Sequence, residues 1–91
     1  PPMNRKLATD IDRALKSVTA GVELFDEIYE KVVSADNAAK KEKAEVELKT
    51  QIKKLQRTRD QIKAWIASAE IREKEPLLNA RRVIETRMEQ F

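Results

Sequence analysis

Residues 49–66 read KTQIKKLQRTRDQIKAWI. With the preceding Leu48, the apolar residues Leu48, Ile52, Leu55, Ile62 and Ile66 fall four, three, seven and four apart. That spacing keeps side chains on one stripe of an α-helix, whereas a strand would repeat every second residue. The other faces carry Lys49, Lys53, Lys54, Arg57, Arg59 and Lys63, opposed only by Asp60. The stretch predicts a helix that packs on one side and offers positive charge on another.

Working outward, the segment before it has a longer seam. Ala8, Ile11, Leu15, Val18, Val22, Phe25, Tyr29 and Val32 alternate three and four apart without a break, a heptad pattern. Asn4 is placed to cap this helix. Asp12–Lys16 and Glu27–Lys31 are i,i+4 pairs in the favourable order, each contributing about 0.3 kcal/mol. Thirty-odd helical residues extend roughly 45 Å, and so charged a helix needs its seam covered. Gly21, the only glycine, lies in mid-helix. It marks a neighbouring helix in close approach or simple tolerance; the functional alternative is close approach of a ligand backbone.

Ser34-Ala35-Asp36-Asn37 stops the pattern with cap and turn formers. A connection this short folds the next helix back antiparallel, with Asp36 or Asn37 as its cap. Helix two is expected to run to about Ser68. Arg59 interrupts its seam: it snorkels or pairs with a carboxylate, or the seam opens there to a partner. Trp65 packs where a third helix crosses, or is an exposed anchor or base-stacking platform. A connector follows, and Pro76 suits the first position of helix three. That helix shows Leu77, Ile84, Met88 and Phe91, with Leu78 and Val83 widening the stripe. The stripe is still running at Phe91, so the helix is expected to continue. Pro1-Pro2-Met3 reads as a leader or an expression scar.

The expected fold is all-α: a long, coiled-coil-like antiparallel helical hairpin with a third helix, forming a three-helix bundle. One helical domain covers residues 4–91, with helices at about 4–34, 37–68 and 76–91. Charged residues make up 38% of the chain and aromatics 4%, which fits long helices with narrow seams.

Absences narrow the chemistry. With no His and no Cys, the commonest general base and thiolate chemistry are missing. No glycine-rich phosphate loop is present. No catalytic set assembles, so the chain is read as a non-enzyme without metal or cofactor. No apolar run approaches a membrane span, and no secretory signal appears. Intracellular residence is the default. The net charge of +3 is local: residues 36–69 carry nine Lys/Arg against five Asp/Glu, while residues 1–35 carry five against six and residues 70–91 five against five.

Lys49, Lys53 and Arg57 stand at i, i+4 and i+8 and form a ridge, with Lys54 beside it and Lys63 further on. Such a ridge suits phosphate oxygens, because binding releases condensed counterions. The plain alternative is a solvated helix face. No aromatic interleaving supports single-strand stacking, so RNA read by backbone and shape fits better.

KLATDIDRALKSVTAGVELFDEIYEKV, EVELKTQIKKLQRTRDQIKAWIAS and IREKEPLLNARRVIETRMEQF resemble the N-terminal helical domain of the Not subunits numbered three and five of the eukaryotic Ccr–Not deadenylase complex. The resemblance covers Arg5 to Phe91. It implies a non-catalytic adaptor module in mRNA decay, deadenylation and translational repression. It also implies docking at the ribosomal E site, with rRNA, tRNA and ribosomal proteins as partners. Other subunits would be met through regions missing from this chain. The cytoplasm is the implied location, with the nucleus second. Carried onto this sequence, the RNA- and ribosome-binding residues are Lys49, Lys53, Lys54, Arg57, Arg59 and Lys63. The competing reading is a coiled-coil protein–protein or dimerisation module without RNA contact. A membrane-surface helix fits poorly, because the stripe lacks interfacial aromatics. No small-molecule substrate is expected.

Overall fold

The computed structural model describes residues 4–91; the leader expected over residues 1–3 lies outside them. Three helices follow in order: α1 (Arg5–Ser34), α2 (Ala38–Ile66) and α3 (Glu75–Gln90). Two asparagines start the long ones. Asn4 Oδ1 accepts from the Leu7 N–H at 2.7 Å, and Asn37 Oδ1 from the Lys40 N–H at 2.9 Å. Caps of this kind contribute about 1 kcal/mol each. The hairpin and third helix match the expected three-helix bundle. α1 and α3 run in one direction and α2 in the other.

α2 ends two residues earlier than expected. The Ser68 N–H bonds to the Trp65 carbonyl, and Ser68 Oγ accepts from the Glu70 N–H. That local turn competes with a further helical turn. Ile71 in the connector is buried, so the connector plugs the end of the bundle. In α3, Pro76 follows Glu75 into the first turn, where its missing N–H has no helical partner to lose.

The core runs along all three helices: Ile11, Val18, Val22, Phe25 and Ile28 of α1; Leu48, Ile52, Leu55 and Ile62 of α2; Ile71; and Leu77, Ala80 and Ile84 of α3. Ile28 is buried while Tyr29, the expected seam residue, is only half-buried. The cause is that α1 packs against two helices at once, so its buried arc is wider than a two-helix seam. Phe91, expected on the α3 stripe, caps that helix and is exposed. Trp65 is half-buried against the core, as its packing reading required.

Gly21 is a point of close helix approach. A Cβ built there would stand 3.0 Å from Leu55 Cδ2 and 3.2 Å from Gln51 Nε2. Gln51, the one buried polar residue among those described, donates from Nε2 to the Gly21 carbonyl at 3.1 Å. That bond removes the penalty of burying an amide. It also ties α1 to α2 at a single level.

The bundle is a rod of 57 × 20 × 15 Å, with a radius of gyration of 15.6 Å. A compact chain of this length would have one of about 12 Å. Long helix faces therefore stay exposed. No helix among the described residues is long and apolar enough to cross a membrane.

Candidate functional site

The site is built on α2, whose apolar stripe fixes which way its charges point. With Leu48, Ile52, Leu55 and Ile62 in the core, the positions between them turn outward. Lys49, Lys53 and Arg57 are exposed and wind slowly along the outer surface, rising about 12 Å from first to last. Lys54 and Lys63 are exposed as well. Lys54 lies on the flank toward α1: Glu47, seven residues before it, stands 4.0 Å from Lys31 of α1. Lys63 lies on the flank toward α3, one turn beyond Arg59. Among the described residues, none of these five cations has a carboxylate within 4.0 Å. They face solvent without a direct ion pair, although Lys49 shares a groove with Glu42 and Glu45.

Arg59 is placed differently from the other five. Its Nη1 donates to Glu85 Oε2 of α3 at 2.8 Å, and its side chain is only 20% exposed. Asp60 Oδ1 stands 3.1 Å from Arg59 Nε, but the angle is poor and Nε has no aligned acceptor. The interruption of the α2 seam is thus filled by an interhelical pair, the carboxylate alternative raised by the sequence. Glu85 also stands 3.8 Å from Arg81 Nε. A second tie holds α3 to α1: Arg87 donates from Nε and Nη2 to the two oxygens of Asp26 at 3.1 and 2.9 Å, the fork geometry that suits arginine.

Removing Glu85 should therefore destabilise α3 docking. Glu85→Ala leaves Arg59 half-covered without its strongest acceptor. The expected cost is about 1–2 kcal/mol, discounted because the carboxylate is partly exposed. Adding Arg59→Met should recover most of it. Urea unfolding midpoints check this; a midpoint unmoved by Glu85→Ala contradicts it.

No cluster of three or more Asp or Glu that could hold a metal occurs among the described residues. Two basic residues of α3, Arg81 and Arg82, escaped sequence reading, because residues 70–91 are neutral in sum.

A rod with one unpaired basic ridge is compatible with many helical proteins, and comparison with known sequences narrows the choice. The Not3 family model, described as "Not1 N-terminal domain, CCR4-Not complex component", matches residues 3–91. The chain belongs to the Not3 family. Subunit 3 of the general negative regulator of transcription from Schizosaccharomyces pombe is 53% identical over 87 residues, covering 96% of this chain and 14% of that protein. Subunit 5 from Saccharomyces cerevisiae is 50% identical over 90 residues, 96% of this chain and 16% of that protein. Subunit 3 from Saccharomyces cerevisiae is 43% identical over 89 residues, 97% of this chain and 11% of that protein. This Not3-family chain thus spans 11 to 16% of the length of these relatives. The family resemblance drawn from the sequence motifs is correct, and no enzymatic family is indicated.

Proposed function

We propose that this chain is the non-catalytic adaptor module of a deadenylase-complex subunit. It docks on the ribosome at the E site, against rRNA and tRNA, and couples translation status to mRNA deadenylation and decay. The observation that carries this reading is the ridge of Lys49, Lys53 and Arg57, flanked by Lys54 and Lys63, exposed and free of ion pairs on a rigid helix. Cations on a helix that is already folded exchange water and counterions for phosphate oxygens with no backbone left to order. Arg59 contributes by holding α3 against α2 rather than by facing the RNA. Membership of the Not3 family supports the deadenylase context. Docking of this kind acts in the cytoplasm, with the nucleus as a second location, and leaves contacts with other complex subunits to the rest of the protein.

The apolar seam of α1 that a coiled-coil dimer would need is covered by α2 and α3 of the same chain, which favours the ribosome reading over dimerisation. Co-sedimentation with ribosomes across a salt series tests it. The unaltered chain should pellet with ribosomes at low salt. A variant with Lys49, Lys53, Lys54 and Arg57 changed to Glu should remain in the supernatant while keeping its helical circular dichroism. Equal pelleting of the two would sink the proposal.

A further inference from the structure

We propose that the groove between α1 and α3 is a docking site for an amphipathic helix of another protein, one with an aliphatic stripe and Lys or Arg along the edge that meets α1. This goes beyond the ribosome reading and does not use the α2 ridge.

Register defines the groove. The Arg87–Asp26 fork, at 3.1 and 2.9 Å, sets α3 level with α1 at one end. The two helices run parallel, and the same eleven-residue step back along each leads from Asp26 to Leu15 and from Arg87 to Pro76. Between those levels Leu15, Val18, Val22, Pro76, Ala80 and Val83 line an open groove, roughly 16 Å or three helical turns long. Ala80, at the level of Thr19, puts only a methyl group into it. Pro76 is exposed there, and Val83 is 37% exposed. An aliphatic strip between two parallel helices is the seat that a further helix takes, its ridge of side chains entering the groove.

The banks decide which kind of helix fits. From Ser17 to Glu30, α1 carries no Lys or Arg. Glu23, Asp26, Glu27 and Glu30 stand at i, i+3, i+4 and i+7 and share one face. Glu23 and Asp26 line the groove, and Glu27 and Glu30, both exposed, continue the bank. Arg87 answers Asp26. Glu23, Glu27 and Glu30 have no cation within 4.0 Å among the described residues, and Lys31, four residues after Glu27, stands 4.0 Å from Glu47 of α2 instead. The α3 bank offers Asn79 and Arg82, which donates to Asn79 Oδ1 at 3.0 Å. Carboxylates therefore line one bank and not the other. That bank repels phosphate and favours a helix whose Lys or Arg residues run along one edge, which also fixes its orientation. A second copy of this chain does not supply such a helix: α2, its basic helix, buries its aliphatic stripe in its own core.

The test is fluorescence anisotropy with a synthetic peptide of about 18 residues, long enough to become helical on contact. It carries leucines on one helical stripe, lysines along one edge of that stripe and alanines elsewhere. One control peptide has serine for leucine, and another has glutamate for lysine. The unaltered chain is compared with Val83→Arg, with Glu23→Gln plus Glu30→Gln, and with Lys53→Gln plus Arg57→Gln; circular dichroism verifies that all four fold. The leucine–lysine peptide should bind, and neither control should. Val83→Arg should weaken binding by about tenfold or more. The Glu23 and Glu30 pair should weaken it several-fold and flatten its salt dependence, and the α2 pair should not weaken it. If the serine peptide binds as well as the leucine one, bulk charge alone is at work and the groove is no site. If the leucine–lysine peptide does not bind, or binds Val83→Arg as tightly as the unaltered chain, the proposal is overturned. The α2 pair keeps the two readings apart: its loss of ribosome pelleting tests the ribosome reading alone.

Discussion

Phe25→Ala is expected to lower the stability of the bundle by about 3–5 kcal/mol. Phe25 is fully buried, at 0% exposure, in the middle of α1. It lies among residues from α2 and α3, and its ring stacks on Tyr29 with centroids 6.1 Å apart. Truncation removes the transfer free energy of the ring and leaves a cavity that long, stiff helices cannot collapse to fill. Small domains are stable by only about 5–15 kcal/mol in total, and for a domain of this size each kcal/mol moves the midpoint by about 4–8 °C. Thermal unfolding followed by circular dichroism should therefore show Tm lowered by about 12 °C or more. A shift of only a few degrees would mean that the Phe25 contacts do not hold the three helices together.

The second large effect is at Gly21, where two physical arguments oppose each other. Helix propensity alone says that Gly21→Ala stabilises by about 1 kcal/mol. Packing says the reverse, since the new Cβ would stand 3.0 Å from Leu55 Cδ2 and 3.2 Å from Gln51 Nε2. Leu55 is buried at 3% exposure and has little room to retreat. Any retreat also disturbs the Gln51–Gly21 bond, on which burial of the amide depends. Packing is expected to win. Gly21→Ala should be neutral to mildly destabilising, and Gly21→Val, with two more carbons at the crossing, should cost about 1–3 kcal/mol from overpacking. Urea unfolding gives the sign. If Gly21→Val raises the midpoint, α1 and α2 do not approach closely at this level. In a Leu55→Ala background Gly21→Ala should turn stabilising, because the space it needs is then open.

Legibility of the fold from sequence followed the period of its apolar residues. The uninterrupted three-four spacing of α1 and the cap residues Asn4 and Asn37 gave helix count, direction and start points. What escaped depended on neighbours distant in sequence. Ile28 is off a strict heptad seam; it stands one heptad after Gly21, on the flank of α1 that meets α2, and is buried there. Gln51 drew no notice in the sequence, because its acceptor is a backbone carbonyl thirty residues away. At the site, exposure of Lys49, Lys53, Lys54, Arg57 and Lys63 was readable, since each lies off the apolar stripe. The role of Arg59 was left between two alternatives, because Glu85, its partner, is distant in sequence. Arg81 and Arg82 were invisible for a different reason. Charge was summed along the chain, and the carboxylates of residues 70–91 cancel them in the sum, although Arg82 itself is exposed and Arg81 shares Glu85 with Arg59.

The most direct test of the ribosome-docking account uses the absence of cysteine in this chain. A single thiol introduced as Lys53→Cys on α2, and separately as Ala20→Cys on the exposed face of α1, can carry an iron chelate that cleaves nearby RNA. The account predicts rRNA or tRNA cleavage confined to the ribosomal E site from position 53, and markedly weaker cleavage from position 20. Cleavage of equal strength from both positions, or none from either while the protein pellets with ribosomes, would contradict it.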